Sequence, residues 1–262
     1  MLSLPCNNRA PISELNETKM KSKLLTLAVG LCLSNVALAE GWKGQGEAGL
    51  VKASGNTDSE NINIGLKFSK EGEVWGNHFD IAALKASNND IDSADSLSAN
   101  YTLKRELSER SNIFFNLSYL DDDFDGFTEQ VGASLGYGYK VIESEPVAWE
   151  VGAGIGYRDT SELFLLDDGS ELEGEDLSGA TFVLRSDYRN QLTPNTQFID
   201  TFRADIGSDN TYVENEAAIL VSMNEKFALK AGIVIRHNTD PADGFDETDT
   251  ISSVSLVYNF AN

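Results

Sequence analysis

Asp121, Asp123 and Asp125 occupy alternate positions of the stretch DDDFDGF, and Gly126 follows the third of them. Carboxylates at the first, third and fifth positions with glycine at the sixth open a calcium loop, where oxygen ligands converge on one hard cation and glycine permits the sharp turn. Such a loop closes on a bidentate glutamate at its twelfth position, which here is Gly132. It also needs a helix on either side. Asp121, Asp123 and Asp125 therefore stand as a candidate Ca2+ or Mg2+ site of an acidic surface loop, not of an EF-hand. They have company in Asp90 and Asp92, in the acidic run from Asp159 to Asp176, and in Asp240, Asp243, Asp246 and Glu247. A solvated acidic face accounts for the same charges without a bound ion, and no other cofactor is expected.

The second chemistry open to this chain is imidazole base catalysis, with only His78 and His237 to supply it. His237 continues the alternation Ile233, Ile235, so it falls on an oily face near a strand end. A lipid hydrolase working there needs a hydroxyl nucleophile beside the base. The residue two positions on is Thr239, and Ser252 on the following segment is the other hydroxyl that could approach. A histidine at headgroup level explains the position equally well, and no enzymatic activity is expected. His78, between Gly76 and Asp80 on a polar face, suits an interior hydrogen-bond network.

Both candidates depend on the elements that carry them, and those elements have a period of two. In Asn61 to Ser69 the even positions are Ile62, Ile64, Leu66 and Phe68, while the odd ones are polar or glycine. Ser96 to Lys104 and Gln130 to Val141 repeat the pattern. Strict alternation over such lengths predicts half-buried strands. Counting them gives about twelve, near 42–53, 59–69, 75–86, 93–104, 112–120, 128–141, 148–158, 177–188, 196–206, 211–223, 227–238 and 249–260. An even number suits a closed single-chain barrel, and segments of about ten residues suit tilted strands crossing a bilayer.

Aromatic placement separates a membrane barrel from a soluble sandwich. Trp42, Phe68, Trp75, Tyr101, Phe115, Tyr139, Trp149, Tyr188, Phe198, Phe227, Tyr258 and Phe260 all fall on oily faces at one end of their strands. That is a girdle of amphipathic rings at a lipid headgroup boundary. Connections at that end, such as Lys70 to Glu73 and Asn224 to Lys226, are short. At the other end Asp159 to Asp176 and Thr239 to Glu247 form long loops, as on the outer side of such barrels. The expected fold is all-β, a transmembrane antiparallel up-and-down barrel with both ends periplasmic, over residues 40–262.

Residues 1–39 are expected to be leader and signal peptide. Met20 begins a short basic stretch, Leu24 to Leu33 is almost wholly apolar, and Ala37-Leu38-Ala39 offers a cleavage site after Ala39. Cys6 and Cys32 would leave with it, and with them any disulfide or thiol chemistry. The chain's formal charge is −22. Losing Arg9, Lys19, Lys21 and Lys23 with Glu14 and Glu17 makes it more acidic still, which excludes nucleic acid as a partner.

Gly41-Trp42-Lys43-Gly44, Gly49-Leu50 and the turn Ser54-Gly55-Asn56-Thr57-Asp58 resemble the start of the YdiY-like family (domain of unknown function 481), often labelled salt-induced outer-membrane proteins. The resemblance extends over the mature chain to the closing Tyr258-Asn259-Phe260. It implies a β-barrel of the Gram-negative outer membrane and a salt response, but carries over no catalytic residues. The alternating aromatic C-terminus is similar to the signal read by the barrel-assembly machinery. Ser255, where glycine is common, and the trailing Ala261-Asn262 depart from it.

Alternation sends Lys67, Lys104, Lys140, Arg158, Arg185, Arg203, Lys230 and Arg236 inward, together with Glu47, Asp80, Glu150, Asp187, Asp205, Glu214 and Glu216. These charges could fill the lumen with salt bridges or line a watery path. Gly132, Ser134, Gly136, Gly138, Gly152, Gly154 and Gly156 leave room on one wall, which argues against a complete plug; a narrow channel and a filled barrel both stay open. The expectation is a monomeric outer-membrane barrel, porin-like in form, structural or weakly conducting, and linked to salt or osmotic conditions. Its surroundings would be outer-membrane lipid and lipopolysaccharide. A selective small-solute channel and a rim lipid hydrolase are the alternatives.

Overall fold

The computed structural model describes residues 41–260 apart from 55–58, 89–90, 123–126, 166–170, 209 and 242–245. At 52–54, 59–61, 86–88, 91–95, 127–128, 162–165 and 171–177 it describes the backbone alone. Residues 1–39, the expected leader, lie outside the described residues.

Alternating side chains make each strand two-faced, and twelve such strands close on themselves. In chain order they are β1 (Lys43–Ser54), β2 (Ser59–Glu71), β3 (Trp75–Asn88), β4 (Ile91–Ser108), β5 (Ser111–Asp122), β6 (Phe127–Ser144), β7 (Val147–Leu165), β8 (Glu171–Thr193), β9 (Thr196–Ile206), β10 (Thr211–Ser222), β11 (Phe227–Asn238) and β12 (Thr248–Asn259). Each pairs antiparallel with its neighbours in sequence, and β1 pairs with β12 from Gln45↔Asn259 to Ser54↔Thr250, leaving no free edge. The lower end holds the start of β1 and the end of β12.

The expected strands are all present, with one correction to their connections. The stretch Asp159 to Asp176 is not an irregular loop. β7 runs on to Leu165 and β8 begins at Glu171, paired through Ser161↔Asp176, Phe164↔Leu172 and Leu165↔Glu171. Leu163, Phe164, Leu165 and Leu172 interrupt the acidic run with strand-forming side chains, and the hairpin zips beyond the wall.

Ile62, Ile64, Leu50, Leu135, Tyr137, Ile155, Tyr157, Val254 and Leu256 are exposed on the outer face, whereas Asn112, Asn116, Asp122, Ser134, Asp205 and Ser255 are buried inside. This inverts the soluble arrangement and is the face pattern of a barrel crossing a bilayer. At the lower end Phe68 and Phe260 meet edge to face at 5.7 Å, Tyr188 and Phe198 at 6.2 Å, and Phe227 and Tyr258 at 5.1 Å. The polar tips find partners there. Trp149 Nε1 donates to Ser186 Oγ at 3.0 Å, and the Tyr101 hydroxyl to Asn77 at 2.8 Å. Polar side chains also stand on the outer face: Asp200, register partner of Tyr188, accepts from Asn215 Nδ2 at 3.4 Å.

Candidate functional site

The first site to test against the fold is the aspartate run. Asp121 is the next-to-last residue of β5, on its outward parity, and Asp123 and Asp125 lie outside the described residues. Among the described residues no three His, Cys, Asp or Glu side chains are grouped to hold a metal ion. The member of the run with a defined role is its even neighbour. Asp122 keeps the inward parity of Asn112, Phe114 and Asn116, is fully enclosed, and accepts from Ser96 Oγ at 3.0 Å. Loop-like spacing singled out 121, 123 and 125 as a set; strand parity gives 122 its separate interior role.

Asp122 meets Arg236 Nη1, and Arg236 Nε donates to Glu214 Oε2 at 3.0 Å. β5 and β11 are six places apart in a ring of twelve, so this contact joins opposite walls near the upper end. Lower down, several of the other expected interior charges pair beyond their adjacent strands, while Lys67 pairs with its neighbour Asp80 at 3.9 Å. Lys104 on β4 reaches Glu150 on β7 at 2.9 Å, where Asn112 Nδ2 also donates at 3.2 Å. Lys230 on β11 lies 3.2 Å from Glu47 on β1 and 2.6 Å from Glu216 on β10. A bulge between Lys140 and Ile142 returns Glu143 to the inner face, and Lys140 sits 3.1 Å from it and 3.4 Å from Glu106 on β4. The Asp122–Arg236 contact spans the lumen, and the others tie strands together along it. Burial costs each charge several kcal/mol (order of magnitude), and pairing offsets that cost.

The glycine wall of β6 and β7 is present, but the room it leaves is occupied. Phe114, an inward aromatic that the sequence reading did not single out, has 2 % exposure. A Cβ on Gly136 would fall 2.3 Å from Phe114 Cζ, and one on Gly152 would fall 3.0 Å from Phe114 Cε1. Arg185 stacks over the same ring from β8, its guanidinium 4.8 Å from the centroid. Asn112 takes the space beside Gly138, and Ser118 the space beside Gly132. Bare backbone on one wall admits side chains from the others, so of the two arrangements left open the one seen beside these glycines is filling.

The histidines stand at opposite ends. His78 Nε2 lies 2.9 Å from Glu71 Oε1, within ion-pair range though out of line for a hydrogen bond. His237 is outward, as expected, and its Nδ1 is 2.9 Å from Thr248 Oγ1. Ser252 pairs instead with Ile233, four residues along β11 from His237, and Thr239 Oγ1 accepts from the Thr211 amide at 2.9 Å. The register of β11 on β12 therefore places a different hydroxyl beside the imidazole from either one considered.

A family model described as "Protein of unknown function, DUF481" matches residues 46–260. The uncharacterized protein YdiY of Escherichia coli (strain K12) is 27% identical over 227 residues, covering 83% of each chain. Among solved structures, the translocator domain of the autotransporter NalP from Neisseria meningitidis is similar with TM-score 0.48 and 12% identity, over 93% of this chain and 97% of that one. An outer-membrane channel from Pseudomonas putida F1 gives TM-score 0.48 and 9% identity, over 83% and 94%. The NanC porin gives TM-score 0.48 and 9% identity, over 81% and 98%.

Proposed function

The chain belongs to the DUF481 family of proteins of unknown function, and from that premise we propose that it is a barrel of the Gram-negative outer membrane whose lumen is held shut by ion pairs. It is structural or weakly conducting, and it responds to salt because its plug is electrostatic. The observation that carries this reading is Arg236 on β11 reaching Asp122 on the opposite wall. An ionic closure differs from a packed apolar one in its response to screening. Charges reached by water interact over about 10 Å at 0.1 M salt and about 3 Å at 1 M. Rising salt loosens the partly exposed pairs, such as Lys140 with Glu143, before the enclosed Asp122 pair.

On this reading the leader is removed after Ala39, the barrel-assembly machinery inserts the chain, and it stands as a monomer with its upper rim in lipopolysaccharide. Its acidic upper loops, including Asp121, Asp123 and Asp125, take up Ca2+ or Mg2+ from that layer. The His237–Thr248 contact is the observation nearest to an enzyme. A base and a hydroxyl still need a third group to orient the imidazole, and among the described residues His237 makes no second hydrogen bond.

Planar-bilayer recording tests the proposal. The wild type is expected to conduct weakly at 0.1 M salt and more than in proportion at 1 M, with Asp122→Asn and Arg236→Gln raising the low-salt conductance. A large conductance in the wild type, left unchanged by both substitutions, would overturn it.

A further inference from the structure

Three arginines enter the lumen from neighbouring strands, Arg158 on β7, Arg185 on β8 and Arg203 on β9. Arg185 and Arg203 are direct cross-strand partners, and Arg203 is near enough to both other guanidiniums for their charges to repel. Like charges placed opposite one another destabilise a ladder. Elsewhere in the lumen cations are matched or outnumbered by carboxylates: Lys230 has Glu47 and Glu216, Lys140 has Glu106 and Glu143, and Arg236 has Asp122 and Glu214. This wall is the reverse. Among the described residues Asp205, 2.5 Å from Arg203 Nη2, is the one carboxylate at ion-pair distance from the three.

The remaining contacts do not neutralise the excess. Arg185 rests on the face of Phe114, and Arg158 Nη2 donates to the Asn210 carbonyl at 3.4 Å. Arg185 Nε, Arg203 Nε and Arg158 Nη1 are enclosed without a partner, as are Asp205 Oδ1 and the Ser134 hydroxyl. Asp187 faces the lumen two residues along from Arg185, but holds no guanidinium at ion-pair distance among the described residues. All three arginine residues keep partial exposure, although the three unpartnered nitrogens themselves are enclosed. Gly132 lies against this group, its Cβ position 3.8 Å from Arg203 Nη2.

Buried cations lacking counter-charge are costly, and guanidinium forks bind planar or tetrahedral oxyanions through paired N–H groups. We propose that Arg158, Arg185 and Arg203 form a binding site for a small oxyanion, the carboxylate or phosphate group of a solute. The site supplies the negative charge this wall lacks, in a chain that is elsewhere strongly acidic. It does not depend on whether the barrel conducts.

The test uses the full barrel folded in detergent, with inorganic phosphate and acetate as probes and sodium chloride at matched ionic strength as reference. The readouts are equilibrium dialysis and the temperature at which the folded, heat-modifiable band is lost. The wild type is expected to bind one probe or both and to unfold several degrees higher than in chloride; which probe acts says whether phosphate or carboxylate is the group preferred. Arg185→Gln and Arg203→Gln should each weaken binding about tenfold, one lost bidentate pair. In chloride alone Arg185→Gln should be no less stable than the wild type, since it removes an unpaired charge. Arg189→Gln, at the exposed lower end of β8, should bind as the wild type does. Equal behaviour of the wild type in phosphate, acetate and chloride would overturn the proposal, as would undiminished binding by Arg185→Gln or, should that variant not fold, by Arg158→Gln.

Discussion

Two walls of one lumen are built on opposite principles. On β6 and β7 the inner face is mostly glycine, and a Cβ on Gly154 would fall 2.5 Å from the Leu135 carbonyl and 2.7 Å from Gly136 Cα. Backbone lies against backbone there, and the volume inside is supplied by Phe114, Asn112 and Arg185 from other strands. On β10, β11 and β1 the inner face carries Glu214, Glu216, Lys230, Arg236 and Glu47, which satisfy one another or reach across. One wall contributes space and the other charge. A lumen can thus be filled by ordinary apolar packing on one side and by electrostatics on the other, and only the second kind answers to salt.

The largest effect should come from emptying the glycine wall. Phe114→Ala removes an enclosed ring from a surface with no side chains to collapse into the void, a change that costs about 4 kcal/mol in a core. Unfolding in urea, followed by the heat-modifiable band, should show that loss. The variant should also conduct more than the wild type in planar bilayers, because the space between Phe114 and Gly136 becomes water. A stable and silent Phe114→Ala barrel would mean that the glycine wall does not depend on its aromatic filler.

Next in size is the charged wall's contact across the lumen. Arg236→Gln leaves Asp122 without its cation at 0% exposure, and breaking one side of a buried pair costs about 3 kcal/mol. Arg236→Gln combined with Asp122→Asn should recover part of that stability, since two neutral amides leave no stranded charge, while remaining as conductive as the single variant. A double variant no more stable than Arg236→Gln would place the loss in packing and erase the electrostatic side of the comparison.

The outer surface of both walls was legible in the sequence, and their meeting inside was not. Alternation is a local property, so Ile62, Ile64 and the girdle rings could be placed from their own segments. Interior contacts depend on register and stagger around the whole ring. No local pattern tells that Arg236 faces Asp122 six strands away, or that Lys104 reaches Glu150. The glycines of β6 and β7 were evident as space, but their occupant was one phenylalanine among thirteen. In DDDFDGF the loop-like spacing drew attention to Asp121, Asp123 and Asp125, of which the last two lie outside the described residues, while the interior role of Asp122 follows from strand parity. The β7–β8 hairpin was missed because charge signals a loop more strongly than a short apolar run signals a strand.

A smaller effect separates close backbone contact from ordinary glycine composition. Gly154→Ala pushes a methyl into the Leu135 carbonyl and Gly136 Cα, neither of which can swing aside, and overpacking of that kind costs about 2 kcal/mol. On β2, Gly65→Ala meets nothing closer than Glu47 Cβ at 3.6 Å and should leave urea unfolding unchanged. If both substitutions were tolerated alike, the approach of β6 to β7 would not be a special feature of that wall.

The smallest effect is expected one residue from one of the largest. Arg236 and His237 are consecutive on β11, so the first enters the lumen and the second faces lipid beside Thr248. If the charged wall acts only through its inner face, His237→Ala should leave stability, conductance and salt response as in the wild type, whereas Arg236→Gln changes all three. The same variant answers the enzymatic alternative, because imidazole is the only side chain at that rim position able to serve as base near neutral pH. Phospholipid vesicles incubated with the purified barrel should release no fatty acid with either wild type or variant. Release by the wild type that His237→Ala abolishes would assign chemistry to the outer face and make Thr248 the hydroxyl to substitute next.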